Sequence, residues 1–244
     1  MNEMFLRWLS FALLLSISSQ LNCGAQDLND PENPAAHQSA GAREQRVRNI
    51  LFLLSCSYAM RNPSTNRLTR MTQEKQVVEQ LLQVLPNDLN IGLRTYGQGQ
   101  GGYMEADCRD TQLIEPIGPK NKKKILEDIQ ELQPAGMSPL GYAVTASLES
   151  DFKTFSDPSL LILITGKGDT CVADISMLAK NIPLVLQGAP IRIYALDLNN
   201  HPDKRVNALF EFAKASGGRY YRFDQSDEFV ADIKALCTVK HRKS

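Results

Sequence analysis

From Val47 onward, short apolar runs take turns with stretches in which apolar residues recur every three or four positions. The runs "NILFLL" (49–54) and "SLLILIT" (159–165) are almost wholly apolar, as strands covered on both faces of a sheet must be. "NIGLRTY" (90–96), "QLIEPI" (112–117), "IRIYAL" (191–196) and "RYYRF" (219–223) read as four more strands, and the proline in the second of these suits a sheet edge. Between them lie helical periods. "MTQEKQVVEQLLQVL" (71–85) puts Val77, Val78, Leu81, Leu82 and Leu85 on one face and stops at Pro86 and Asn87. "KNKKKILEDIQEL" (120–132), "SPLGYAVTASLESDF" (138–152), 175–186, "KRVNALFEFAKAS" (204–216) and "DEFVADIKAL" (227–236) complete the set, with Gly217 and Gly218 capping the helix before the last strand. The glycine-rich "GQGQGG" (97–102) lacks a Lys-Ser/Thr ending and opens no helix, so it reads as a hairpin loop and not a phosphate cradle.

Strands alternating with helices of this length predict an α/β fold: a doubly wound, Rossmann-like, mostly parallel sheet of about six strands with helices on both faces. The two fully apolar strands belong side by side at its centre. Functional groups in such sheets collect at the carboxyl ends of the strands, near the point where strand order reverses. "SCSYA" (55–59), "GKGDTC" (166–171) and "DLNNHPD" (197–203) therefore share one rim, joined by the loop before Ser138.

Composition changes little: 244 residues, 43% hydrophobic and 22% charged, with zero formal net charge, describe an ordinary globular chain with no field to recruit nucleic acid. The N-terminus changes more. "WLSFALLLSISS" is an apolar block of about a dozen residues, the length of a signal-peptide core and well short of the roughly 20 that span a bilayer. Residues 1–25 read as that signal, with cleavage after Ala25. Cys23 offers a second outcome, acylation at a new N-terminus, although Asn22 stands where lipoprotein signals usually have Gly, Ala or Ser. Residues 26–45, which include His37, read as a disordered linker, 46–238 as the folded domain, and 239–244 as a basic tail. Four cysteines remain, at 56, 108, 171 and 237, with no CxxC pair and no zinc-site spacing.

The residues also resemble a known family, the von Willebrand factor A domains. "NILFLLSCSYAMR" is similar to that family's first strand and metal loop, Asp-x-Ser-x-Ser. "LNIGLRTYGQG", "DCRDTQLIEPIGP", "LQPAGMSPLGYAV" and "LILITGKGDTC" resemble its bacterial exported branch, from about Val47 to Leu236. The resemblance implies a rim that binds a protein or surface component, with a divalent ion completing its shell on the ligand's carboxylate. Carried over, the first aspartate falls on Ser55, the first serine is kept as Ser57, and the second falls on Ala59. The threonine of the next loop falls on Ser138, and the aspartate after the fourth strand falls on Gly166. Magnesium is normally anchored by one or two carboxylates. Both are replaced here, so a degenerate site with no metal and no cofactor is expected, unless Asp169 swings in.

On this reading Ser55, Ser57, Ser138, Asp169 and Asp197 form a partner-binding rim in a non-enzymatic module. Its partner is a protein, nucleic acid is excluded, and membrane contact comes only through a lipid anchor at Cys23. Two alternatives stand beside it: a hydrolase using Cys56 as nucleophile, with His201 as base and Asp197 orienting it, and a scaffold whose rim is vestigial. Cys108 and Cys171 both flank strand ends at the rim, where the similar bacterial domains often carry cysteines. They are therefore expected to pair, while Cys237 belongs at the opposite end.

Overall fold

The computed structural model describes residues 46–64, 67–99, 105–172, 175–199 and 207–238. Six strands form one sheet: β1 (Asn49–Ser55), β2 (Asn90–Tyr96), β3 (Thr111–Pro119), β4 (Ser159–Thr165), β5 (Ile191–Asp197) and β6 (Arg219–Arg222). Their order is β3-β2-β1-β4-β5-β6, parallel except for the β2–β3 pair. Both all-apolar strands, β1 and β4, lie at the centre and pair with each other. The order reverses between them, so their carboxyl ends open the crevice where such folds bind ligands.

Alternation along the strands sorts the core. Ile50, Phe52 and Leu54 of β1 and Leu160, Ile162 and Ile164 of β4 face one side. They pack there against α1 (Arg70–Val84), α2 (Lys122–Glu131) and α6 (Ser226–Cys237). Leu51, Leu53, Leu161 and Leu163 face the other, under α3 (Leu140–Ala146), α4 (Ser176–Leu186) and α5 (Asn207–Ala215). With apolar side chains on both faces, these strands carry no hydrophobic–polar alternation in sequence.

Two elements depart from the sequence expectation. The helix expected over 138–152 is regular only to Ala146. The Thr145 hydroxyl then donates to the Gly141 carbonyl and the Ser147 hydroxyl to the Ala143 carbonyl. The turn that follows widens until the Phe152 amide donates to the Ser147 carbonyl, five residues back. Hydroxyls bonding back into a helix loosen it in this way. The widened turn delivers Asp151 to Arg94 of β2, a buried two-pronged ion pair at 2.6 and 2.8 Å. The edge strand β3 is also longer than its apolar core indicated, and its pairing shifts register beside Leu93.

Where the described chain begins and ends, the two ends meet. The Val47 amide donates to the Leu236 carbonyl, and Arg46 donates to the Cys237 carbonyl while clasping Asp88. This pole lies opposite the rim. Cys237 is buried there with a free thiol.

Candidate functional site

The rim is a lattice of backbone hydrogen bonds between loops. The Cys56 amide donates to the Tyr96 carbonyl and its carbonyl accepts from Ala135. The Tyr58 amide donates to Gly136, and the Gly136 amide donates to Gly97. This approach needs glycine at 97: its φ is +78°, and a Cβ there would stand 2.3 Å from the Met137 carbonyl oxygen. Ser138 and Thr170 exchange bonds of 2.8 and 2.9 Å, tying in the loop after β4. A disulfide between Cys108 and Cys171, Cα to Cα 5.4 Å, fastens the β2–β3 connection to that same loop.

Within the lattice, the Ser55 and Ser57 hydroxyls lie 3.1 Å apart. Beneath them the Ser55 amide donates to the Glu74 carboxyl of α1 at 2.9 Å. Glu74 is fully buried and its second oxygen has no hydrogen-bond partner. Burial pushes its pKa well above the ordinary value, outweighing the Ser55 amide and the Lys75 charge, so its surroundings favour the neutral acid. The Ser138 hydroxyl is buried and likewise without a partner.

Asp169 does not swing toward Ser55. One of its oxygens accepts from the Gly141 amide at 2.7 Å, the other from Cys171 and Val172 at 2.6 and 2.8 Å. It organises its own loop and the first turn of α3. Asp197 accepts from the Asn199 amide and the Tyr220 hydroxyl. All five residues expected to meet a partner, Ser55, Ser57, Ser138, Asp169 and Asp197, are buried. Of these, Ser55, Asp169 and Asp197 turn inward to accept from loop amides, so they line the floor of the rim.

Position 166 decides whether the family's divalent ion fits. A Cβ on Gly166 would stand 2.2 Å from Cδ of Arg70, so the arginine stem fills the space a side chain there would enter. Its guanidinium donates to the Asn199 side chain at 3.0 Å and reaches the Ala59 carbonyl at 3.5 Å. Ser55 and Ala59 add no charge, Asp169 is engaged, and Glu74 lies buried beneath Ser55, holding its amide. Among the described residues no three Cys, His, Asp or Glu side chains converge. Two hydroxyls beside a resident cation do not fit a magnesium ion, which needs anionic oxygen anchors.

Cys56 lies in surroundings that disfavour a thiolate. It is fully buried, and desolvation, with Glu74 second, pushes its thiol far above its ordinary pKa. A nucleophilic cysteine needs the opposite environment. The base of the hydrolase alternative, His201, lies outside the described residues, as do Cys23 and His37.

What the rim does present is aromatic and basic. Tyr58 is 53% exposed with the Arg61 guanidinium 4.9 Å over its ring, and Tyr142, in the first turn of α3, is 46% exposed. Val172 is exposed beside the disulfide. Sequence reasoning passed over Arg70 and Glu74. The signal for Glu74 was its place one turn before Val77 and Val78, a charged residue on the buried stripe of a helix. For Arg70 it was a basic residue at a helix start, where acidic ones are favoured.

No family model matches the chain, and no curated protein matches it. Solved structures do. A von Willebrand factor type A protein from Catenulispora acidiphila superposes with a TM-score of 0.59 at 16% identity, over 78% of this chain and 42% of that one. Proximal thread matrix protein 1 from the mussel byssus gives 0.56 at 14% identity, over 80% and 47%. The manganese-loaded TRAP protein of Plasmodium vivax gives 0.56 at 16% identity, over 80% and 74%. The chain spans under half the length of the first two.

Proposed function

Because the chain carries a von Willebrand factor A-like fold, we propose that it is an exported, non-enzymatic binding module. It recognises a protein or surface component through the carboxyl-end rim of its sheet, without a bound divalent ion. One observation carries this reading: Tyr58, Arg61 and Tyr142 stand exposed around a rim whose loops are laced by backbone bonds and a disulfide. Tyrosine and arginine on a pre-organised frame are the residues that concentrate binding energy at protein interfaces. The Cys108–Cys171 bond supports an oxidising compartment, in line with the apolar N-terminal block read as a signal.

Site-specific photo-crosslinking tests the rim. A photoreactive phenylalanine analogue at Tyr58 or Tyr142 is expected to capture a discrete partner from the exported fraction. The same analogue at Leu126 of α2 or Leu184 of α4, both exposed on helix faces, is expected to capture none. Capture from the helix faces alone would replace this reading with the scaffold whose rim is vestigial.

A further inference from the structure

Arg70 is costly where it stands. It is the first residue of a 15-residue helix, where the positive end of the macrodipole disfavours a cation. It is half-buried, and its Nε is enclosed with no hydrogen-bond partner. Desolvation lowers its pKa, with Asp197 the opposing influence. Of its donors, one bonds Asn199 well and one reaches Ala59 at the limit of a hydrogen bond. A residue that defies helix electrostatics, desolvation and donor satisfaction together marks a functional position better than a structural one.

Its place gives the function. Arg70 spans from the start of α1 to Gly166 after β4, to Asn199 after β5 and to the carbonyl of Ala59 after β1. These are the loops around the switch-point crevice, and at Ala59 and Gly166 the sequence places no side chain with an oxygen to hold a cation. We propose that the Arg70 guanidinium is the built-in cation of this rim and receives a carboxylate of a partner protein directly. The planar fork suits a carboxylate in two-pronged geometry. The glycine at 166 is what lets the arginine stem lie there. This inference rests on the rim being the contact face.

The buried Nε–H supplies the readout, since enclosure slows its exchange with water and keeps its resonance visible. The full chain, labelled with ¹⁵N-arginine and assigned with Arg70→Lys, is titrated with N-acetyl-aspartate N′-methylamide at constant ionic strength. The expected result is a saturable shift of the Arg70 side-chain resonance with half-saturation in the millimolar range. The asparagine analogue produces none, and Arg70→Met weakens aspartate binding, followed by backbone amide shifts at Ala59 and Asn199, at least tenfold. No saturable shift, or equal shifts with aspartate and asparagine, overturns the proposal. Such a failure alongside rim crosslinking would leave the binding module standing without its carboxylate. A saturable shift without crosslinking would leave a carboxylate site and remove the protein partner.

Discussion

Glu74 shows how one residue can govern the site from below. Its folded pKa is raised, so the stability it permits is complete below the unfolded value of about 4.5 and is lost as pH climbs toward the folded value. Wild type is therefore expected to lose melting temperature from pH 5 toward pH 8. Glu74→Gln, which keeps an acceptor for the Ser55 amide, is expected to flatten that slope and to melt a few degrees higher at pH 8. Thermal denaturation across pH checks it, and parallel slopes for the two proteins would show that Glu74 is not the titrating group. Cys56 beside it is expected to stay unlabelled by iodoacetamide in the native state and to react, like Cys237, only on unfolding. Rapid native labelling of Cys56 would return the thiol hydrolase to contention.

At the scale of elements, two cross-links hold the rim's supports. The Cys108–Cys171 bond has a sequence separation of 63, and closing a loop of that size stabilises by about 4 kcal/mol on chain-entropy grounds. Reduction, or Cys108→Ser, is expected to lower the melting temperature by several degrees. The Arg94–Asp151 pair is 9% and 3% exposed in its side chains. Removing one partner strands a buried charge, so Asp151→Ala is expected to cost about 3–5 kcal/mol in denaturant melts, and Arg94→Met with Asp151→Leu considerably less. The cysteine pairing was legible because topology sends both residues to one end of the sheet, where the similar bacterial domains often carry cysteines. The ion pair was not, since it depends on the widened turn after Ala146. The strand order at the centre was legible from two uninterrupted apolar runs. The burial of Asp169 and Asp197 was not, because inward-turned carboxylates that cap loop amides look in sequence like any rim acid.

For the whole molecule, the proposed role of Arg70 makes the crevice of this von Willebrand factor A-like fold a place already occupied by a side-chain cation. Introducing Ser55→Asp with Gly166→Asp is therefore expected to give no magnesium isotherm while Arg70 remains, because the arginine stem occupies the space a side chain at 166 would enter. Adding Arg70→Ala should create one. Calorimetry reads both variants, and magnesium binding by the protein that keeps Arg70 would show that the arginine does not exclude the ion. Export predicts a mature start at Gln26, or at an acylated Cys23, and mass spectrometry of the exported protein distinguishes them from an intact Met1.

The meeting of the two ends at Val47 and Leu236 has a mechanical consequence. The chain enters β1 at the pole and leaves it at the rim, and β1 is flanked on both sides by parallel neighbours. A pull between a rim-bound partner and the chain preceding Arg46 runs lengthwise along this central strand. Its hydrogen bonds to β2 and β4 are then loaded in shear, all at once, instead of being peeled open one by one. The Arg46–Asp88 clasp at the pole takes the first share of that load. With a partner held at the rim as proposed, the most buried strand of the sheet is thus also its expected line of tension.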